Sequence, residues 1–319
     1  MAIAGAGAAI ADVADLAGDV AQMVNGVVRG REEVVDLTLV ALLSGGHLLI
    51  EDVPGVGKTL LAKSLATAVG GHFSRIQATP DLLPSDVTGS SVFQPIQGDW
   101  EFHPGPVFAN IVIVDEINRA TPRTQSAVLE AMEERQVTVD GVSRAAPEPF
   151  FLIATQNPRE HAGTFPLPDG QLDRFAVTTS MGYPAPADET AVLLGEGGAG
   201  ALESVKQVAS IERVAEAINA TRKVHVQRSL AEYVVALVGA SRNHPAVAIG
   251  ASPRAASSLL RGAQARAAIR GRDHVVPDDV QSLAIHVLGH RVIVRDGTGV
   301  RAGAAVIEDI VETVAVPRQ

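Results

Sequence analysis

Short apolar runs alternate with segments of helical periodicity along the first 180 residues of the chain. The runs have the length of buried strands and occupy residues 47–51, 72–78, 111–116, 149–155 and 174–180. Between them, apolar positions recur at the spacing of a helix over 31–43, 61–68 and 124–135. Strands that alternate with helices predict an α/β fold, in which a parallel sheet lies between layers of helices.

The pattern changes after residues 181–187, where strand signals become few and helix signals many. Three segments carry signals of a helix start, namely a capping box at Ser229–Glu232, Ser252 before Pro253, and Pro277–Val280. Gly271 is placed to end the second of these helices. We therefore expect two domains, an α/β core over residues 1–183 and an all-helical lid over residues 184–319.

Composition fits two globular domains and narrows the choice of partners. The 319 residues are 46% hydrophobic and 19% charged, which is enough for large cores. The net charge of −10 disfavours nucleic acid as a partner, because proteins that bind it usually present a basic face. The chain has no cysteine, so disulfides and thiolate metal sites are excluded.

No segment predicts export or insertion into a membrane. The N-terminal stretch carries Asp12, Asp15 and Asp19 instead of the positive charges of a signal peptide. The longest uncharged apolar run, residues 37–50, is shorter than the roughly 20 residues of a membrane span. We expect a cytoplasmic protein.

A glycine-rich turn follows the first strand, in the stretch "EDVPGVGKTLLAK". It matches the phosphate-binding pattern G-x-x-x-x-G-K-[ST], except that Asp52 stands where the first glycine is usual. Gly55 and Gly57 allow the backbone to turn its N–H groups toward phosphates at the start of a helix. Pro54 fixes one dihedral angle and offers another way into the loop.

The residues after these glycines complete a nucleotide site. Lys58 is placed to reach the β- and γ-phosphates of ATP, and Thr59 to ligate Mg²⁺. The predicted ATP-binding residues are Asp52, Val53, Pro54, Gly55, Val56, Gly57, Lys58, Thr59 and Leu60.

Polar residues end two of the other predicted strands. Asp115 and Glu116 close the run "IVIVDE", and Asn157 follows "FFLIAT". In open α/β sheets, ligands bind at the C-terminal ends of the strands. We expect Asp115 to hold Mg²⁺, Glu116 to orient or deprotonate the attacking water, and Asn157 to hold that water or a phosphate oxygen.

Two arginines are candidates for stabilising charge on a transferring phosphoryl group. Arg174 begins the last strand of the sheet, and an arginine at such a place often acts on the site of a neighbouring subunit. Arg254 lies in the first turn of a lid helix, where the helix dipole disfavours a cation, so we expect an anionic ligand nearby. The rival candidates are Arg119, Arg123 and Arg135.

Together these segments resemble the MoxR family of AAA+ ATPases. The resemblance covers roughly residues 20–317 and rests on "EDVPGVGKT", "DLLPSDVTG", "FHPGPVFANIVIVDEINRA", "ATQNP", "QLDRF" and "SPRA". It implies that Lys58 and Thr59 belong to Walker A, and that Asp115 and Glu116 belong to Walker B. It also implies sensor 1 for Asn157, the arginine finger for Arg174 and sensor 2 for Arg254. One departure is "PDGQLDRF", because the family usually has Glu-Ala where this chain has Asp169-Gly170.

Two insertions fit the same resemblance. Residues 79–107 are similar to a helix-2 insert, and residues 136–144, around Asp140–Gly141, to the pre-sensor-1 hairpin. We expect residues 88–103 to touch a substrate or partner, although their aromatic side chains could equally pack only the insert.

The resemblance further implies Mg²⁺-dependent ATP hydrolysis between subunits of a ring, expected to be a homo-hexamer. It implies chaperone-like remodelling of client proteins, sometimes with metal insertion, and a partner that carries a von Willebrand factor A domain. The alternatives are a DNA motor or magnesium-chelatase-like subunit, and a nucleotide-switched scaffold with negligible turnover.

Two weaker signals remain. His286 and His290 have the i, i+4 spacing of a helical metal site, but no acidic or thiolate partner is evident, so we do not expect one. A run of four arginines could form a basic stripe for nucleic acid, but a solvated or subunit-facing surface is favoured; the four are Arg261, Arg266, Arg270 and Arg272.

Overall fold

The computed structural model describes residues 2–96, 98–157, 163–295 and 300–317. The strands up to residue 180 are β1 (Leu48–Glu51), β2 (Phe73–Gln77), β3 (Gly89–Gln94), β4 (Asp99–Pro104), β5 (Ile111–Asp115), β6 (Gln136–Val139), β7 (Val142–Ala145), β8 (Phe151–Gln156) and β9 (Val177–Thr179). One sheet has the order β2-β5-β8-β1-β9, and each neighbouring pair in it is parallel. The predicted α/β fold with five parallel strands is therefore confirmed.

The inner strand β5 is buried on both faces, which accounts for its unbroken apolar sequence. Ile111 and Ile113 pack into the core on one face of the sheet, while Val112 and Val114 pack into the core on the other. Because the five strands run in one direction, their C-terminal ends share one edge of the sheet. The residues that follow β1, β5 and β8 are thereby brought together.

The helices of the first half lie around this sheet and confirm the predicted helical segments. They are α1 (Ala2–Val27), α2 (Glu32–Leu43), α3 (Lys58–Ala68), α4 (Pro84–Thr88), α5 (Pro122–Glu134) and α6 (Asp169–Leu172). Helix α5 is capped by Thr121, whose hydroxyl accepts from the Thr124 N–H at 3.4 Å.

The second half is mostly helical. It contains α7 (Pro186–Leu193), α8 (Gly198–Ala201), α9 (Ile211–Thr221), α10 (Arg228–Asn243), α11 (Pro253–Ile269), α12 (Pro277–Leu288) and α13 (Val300–Thr313), with a short pair of strands, β10 (Val247–Ile249) and β11 (Ile293–Val294). Ser252 caps α11 as predicted, its hydroxyl accepting from the Ala255 N–H at 3.2 Å. The predicted capping box at Ser229 is wrong, because α10 begins at Arg228 and has Gln227 at its N-cap.

Among the described residues, no helix combines the length and the apolar character needed to cross a membrane.

The helical half packs directly on the sheet. One apolar core runs without a break from α1, α2 and one face of the sheet into α9–α13, so the predicted domain boundary near residue 184 remains a prediction. His286 on α12 and His290 in the turn that follows α12 contact the carbonyl oxygens of Thr178 and Phe175 at 3.1 and 3.0 Å. Buried Arg291 donates to the same Phe175 carbonyl at 2.8 Å. These two histidines therefore join the lid to β9 and the residues before it.

The four lid arginines meet the expectation of a solvated surface only in part, since Arg261 and Arg270 are exposed. Arg266 is buried and pairs with Asp36 at 2.7 Å, so its predicted exposure is wrong. Arg270 and Arg272 pair with Asp278 and Asp279 at 3.1 and 2.6 Å. The irregular spacing of these arginines reflects separate ion pairs within the chain.

The two insertions are β-hairpins. In β3–β4, Phe93 stands opposite Trp100 with ring centroids 5.4 Å apart, and both side chains are largely exposed. Phe102, two residues further along β4, lies on the same face as Trp100 but nearer the base of the hairpin, where it meets Phe108 and lies under the guanidinium of Arg144. The second hairpin, β6–β7, turns at Asp140 and Gly141 with φ of 54° and 75°, as its Asp-Gly pair predicts.

Candidate active site

The loop between β1 and α3 has the shape of a phosphate-binding loop. Gly55 and Gly57 have φ of +84° and +102°, a region that other residues rarely adopt. Gly57 is the N-cap of α3, so the first helical N–H groups open into the loop. This arrangement presents backbone donors and the positive end of the helix dipole to an anion.

Lys58 is folded back over this loop. Its Nζ donates to the carbonyl oxygens of Asp52 and Val53 at 2.9 and 3.1 Å. Burial lowers the pKa of Lys58, while the carboxylates of Asp52 and Asp115 oppose the shift. An ammonium with only two carbonyl partners in a partly desolvated cleft is well suited to bind a phosphate oxygen.

Asp52, the departure from the usual pattern, secures the loop. Its buried carboxylate accepts hydrogen bonds from the Gly182 N–H at 2.5 Å, from the Ser180 hydroxyl at 3.0 Å and from the Val53 N–H at 2.7 Å. The residue does not have the positive φ that would require glycine. The carboxylate therefore ties the entry of the loop to the chain that leaves β9.

Oxygen donors suited to Mg²⁺ meet beside Lys58. The hydroxyl of Thr59 lies 3.4 Å from Oδ2 of Asp115, at the end of β5. Hydroxyl and carboxylate oxygens are hard ligands, and Mg²⁺ in nucleotide sites is held by one or two such groups together with phosphates. Asp115 is engaged by Arg75, whose Nε donates to the same Oδ2 at 2.7 Å.

Glu116 leaves the strand with a left-handed backbone, φ 57°. Its N–H donates to the hydroxyl of Thr155 at 2.9 Å, which fixes the direction of the turn. Its carboxylate lies 3.1 Å from Nη1 of Arg119 and 3.5 Å from the amide nitrogen of Gln77. The candidate base is therefore held by side chains of its own subunit in this state.

These residues line one cleft at the C-terminal edge of the sheet. The cleft has a volume of about 320 Å³ and is lined by Pro54, Gly55, Gly57, Lys58, Thr59, Leu60, Arg75, Gln77, Asp115, Glu116 and Thr155. Asn157 follows β8 at the same edge but is not part of the lining. Arg75 and Gln77 were missed by sequence reasoning, although the pairing of β2 with β5 places them next to Asp115.

Arg174 and Arg254 lie together, but not in this cleft. Nε of Arg174 lies 2.7 Å from Oε2 of Glu133, and Nη2 of Arg254 donates to Oε1 of the same carboxylate. All three line a second pocket of about 250 Å³, beside Gly46 and His47. Because those two residues precede β1, this arginine pocket lies at the N-terminal edge of the sheet.

The rival arginines are divided between the two edges. Arg119 contacts Glu116, whereas Arg135 lines the arginine pocket and donates to the carbonyl of Gly45 at 3.0 Å. Arg123 is exposed at the start of α5. Glu133, which sequence reasoning missed because no motif pointed to it, lies beside Arg254, where we expected an anionic ligand.

Comparisons with known proteins agree with this architecture. The model of the ATPase family associated with various cellular activities (AAA) matches residues 47–177, and that of the AAA lid domain matches residues 239–314. A crystal structure from Cytophaga hutchinsonii, described as a candidate ATPase, superposes with a TM-score of 0.90 at 35% identity and covers 100% of both chains.

Curated relatives match over nearly the whole chain. The uncharacterized protein YeaC of Bacillus subtilis is 44% identical over 97% of both chains. Chaperone MoxR1 of Mycobacterium tuberculosis is 39% identical over 92% of this chain and 80% of its own length. The chain belongs to the MoxR family of AAA+ ATPases.

Proposed function

We propose that the protein hydrolyses Mg²⁺–ATP at the interfaces between subunits of a ring. The observation that carries this proposal is the separation of the two halves of the site. Lys58, Thr59, Asp115 and Glu116 line the cleft at one edge of the sheet. Arg174 lies at the other edge of the sheet. The 4 residues of β1 span the distance between the two edges, which is about 13 Å at a rise of about 3.3 Å per residue.

A second copy of the chain can bring the two halves of the site together. If the N-terminal edge of one subunit faces the cleft of the next, Arg174 and Arg254 can reach the neighbour's γ-phosphate. Such a head-to-tail contact generates a closed ring when its rotation closes, and we infer a homo-hexamer. Two guanidinium groups at that place would neutralise charge that builds on the phosphoryl oxygens.

Within one subunit, each group has a defined task. The N–H groups of the loop and Lys58 bind the phosphates, and Thr59 and Asp115 would hold the metal. Bound Mg²⁺ supplies charge neutralisation at the β- and γ-phosphates. Glu116 orients or deprotonates the attacking water once it has left Arg119, and we assign Asn157 to the same water or to a phosphate oxygen.

We infer that this ATP turnover drives chaperone-like remodelling of a client protein, in the cytoplasm where ATP is supplied. The relative from Mycobacterium tuberculosis carries the name chaperone. Insertion of a metal into the client, and a partner with a von Willebrand factor A domain, are further parts of the proposal. Three of the four lid arginines that could have formed a basic stripe pair with carboxylates of the chain, so we favour protein over DNA as the substrate.

We propose the β3–β4 hairpin as the client contact. Its tip exposes Phe93, Ile96 and Trp100, with relative exposures of 46%, 101% and 65%. Exposed aromatic side chains of this kind are enriched where proteins bind other proteins. Their exposure distinguishes them from Phe102, which packs against Phe108 and Arg144.

The test measures ATP hydrolysis against protein concentration, with molecular mass followed in parallel. The rate per subunit should rise as the protein assembles toward six times the chain mass of 33.1 kDa. Glu116→Gln and Arg174→Ala should each bind ATP yet lose hydrolysis. A mixture of the two variants should regain activity, because about one interface in four then joins an intact cleft to an intact arginine.

Three outcomes would contradict the proposal. A rate per subunit that does not change with concentration would remove the ring mechanism. Mixtures with no regained activity, from subunits that demonstrably exchange, would show that Arg174 does not act on a neighbour. Wild-type turnover no greater than that of Glu116→Gln would favour the nucleotide-switched scaffold.

A further inference from the structure

One carboxylate binds both of the arginines assigned to the neighbouring site. Oε2 of Glu133 lies 2.7 Å from Nε of Arg174, and Oε1 accepts a hydrogen bond from Arg254. The Arg174 contact is an ion pair without an aligned hydrogen bond, since that buried Nε has no hydrogen-bond partner. Each guanidinium therefore touches Glu133 through one nitrogen, whereas a bidentate pair would use two.

Helix dipoles disfavour both residues of the Glu133–Arg254 pair. Glu133 lies in the last turn of α5, where the helix presents negative charge, and Arg254 lies in the first turn of α11, where it presents positive charge. Pairing the two residues offsets both unfavourable placements. The hydrogen bond from Arg254 and the charge of Arg174 lower the pKa of Glu133, so its carboxylate is ionised at neutral pH.

The arginine pocket carries more positive charge than Glu133 can neutralise. Four arginines line it, namely Arg135, Arg174, Arg254 and Arg261. The lining holds a second carboxylate, Asp173, which is already paired with buried Arg291 at 2.8 Å. The pocket therefore retains a positive surplus that favours a further anion.

The contact of Glu133 with the two arginines is also exposed enough for another anion to replace the carboxylate. The side chains of Glu133, Arg174 and Arg254 are 29%, 31% and 49% exposed. Ion pairs with this much solvent contribute little, about 0–1 kcal/mol each, because water and salt compete with them. A triphosphate with several negative charges and many acceptor oxygens can therefore displace a single carboxylate.

We propose that Glu133 is a stand-in for the neighbour's γ-phosphate, holding Arg174 and Arg254 in the free subunit and releasing them when an ATP-loaded cleft docks. This inference rests on the proposed function. Because the incoming phosphate and Glu133 are both negative, they cannot share the two guanidinium groups without repulsion. Glu133 thus opposes assembly without ATP and makes ring closure depend on the nucleotide.

The experiment compares wild type with Glu133→Gln, which keeps the shape of the side chain and removes its charge. The matched control is Glu134→Gln, the same change at the next, exposed position of α5. Assembly is followed by light scattering in the presence of AMP-PNP and Mg²⁺, and hydrolysis is followed with ATP. Glu133→Gln should reach half-maximal assembly and activity at about two- to tenfold lower protein concentration, with an unchanged plateau rate. Glu134→Gln should behave as wild type.

Three results would overturn the inference. An unchanged or higher half-maximal concentration for Glu133→Gln would show that the residue does not oppose assembly. A lower plateau rate would make it a permanent support for the arginines. Failure of the proposed function can be told apart from these two results. In that case the rate per subunit of wild type would not depend on protein concentration, and both proposals would fall. Should Glu133→Gln unfold, Glu133→Asp, which keeps the charge but is too short to bridge both arginines, should give a smaller shift in the same direction.

Discussion

Arg75 and Asp115 form an ion pair inside the nucleotide cleft, with Nε of Arg75 2.7 Å from Oδ2 of Asp115. The same oxygen faces the hydroxyl of Thr59, where Mg²⁺ is expected. Arg75 is on β2, and its neighbour in the cleft, Gln77, accepts a hydrogen bond from its Nη2 at 2.9 Å. A cation of the protein therefore pairs with the carboxylate that we propose as a ligand of Mg²⁺.

Replacement of Arg75 by alanine should lower the Mg²⁺ concentration needed for half-maximal ATP binding. The arginine side chain is 49% exposed, so we expect the small effect of a surface pair, about 1.5- to fivefold. Titration of Mg²⁺ against a fluorescent ATP analogue measures it. Lys63→Ala, which removes an exposed cation from α3 outside the cleft lining, should leave the titration unchanged. If the half-maximal Mg²⁺ concentration falls in both variants, the cause is the loss of a positive charge in general and not the release of Asp115.

Replacement of Asp52 by glycine should weaken ATP binding, although it restores the usual motif. The change leaves the N–H of Gly182 without its acceptor and detaches the loop from the end of β9. Loss of a partner for a polar group that is shielded from water costs about 1–3 kcal/mol, or roughly 5- to 150-fold in affinity. Equilibrium binding of labelled ATP tests this. Ser180→Ala removes one of the same hydrogen bonds and should have a smaller effect. Equal or tighter binding by Asp52→Gly would show that the carboxylate does not secure the loop.

His47 should make the folded protein less stable in acid. The Leu152 N–H donates to Nδ1 and the carbonyl of Met132 lies 3.1 Å from Nε2, so the buried ring is neutral. Burial lowers its pKa from 6.5 to about 4. Between these values the unfolded chain binds more protons than the folded one, so stability is lost as the pH falls from 6.5 to 4. The contribution of His47 reaches about 3 kcal/mol.

The measurement is urea unfolding of wild type and His47→Gln at several pH values between 4 and 7. The variant should be less stable at pH 7 but should lose less stability on acidification. The difference between the two slopes isolates His47 from His286 and His290, whose pKa values are also lowered by burial. Parallel slopes would mean that His47 does not titrate in this range.

The packed ring of Phe102 and the exposed ring of Trp100 in the β3–β4 hairpin should respond differently to truncation. Phe102→Ala removes contacts with Phe108 and Arg144 and should cost about 1–3 kcal/mol of stability. Trp100→Ala removes a largely exposed ring and should cost less than about 1 kcal/mol. Thermal unfolding of both variants measures the difference. A larger loss for Trp100→Ala would show that this ring packs the insert, and would weaken its proposed role in binding a client.

Local sequence was sufficient for the strands, the phosphate loop and most helix starts. Positive φ at Gly55 and Gly57, the N-cap at Ser252 and the Asp140–Gly141 turn depend on residues only a few positions apart, so short patterns predict them. The capping box at Ser229 failed because neighbouring turns of α10 compete for the same start, and the sequence does not rank them.

Contacts between distant segments were decided only by the tertiary structure. Asp52 meets Gly182 across 130 residues, and Arg254 meets Glu133 across 121. The order of strands in the sheet placed Arg75 beside Asp115 and put Arg174 at the edge away from Lys58. No local pattern encodes such distances, because they depend on how separate helices and strands pack. The sequence by itself determined which chemical groups the site contains, and the packing decided which of them a single subunit brings together.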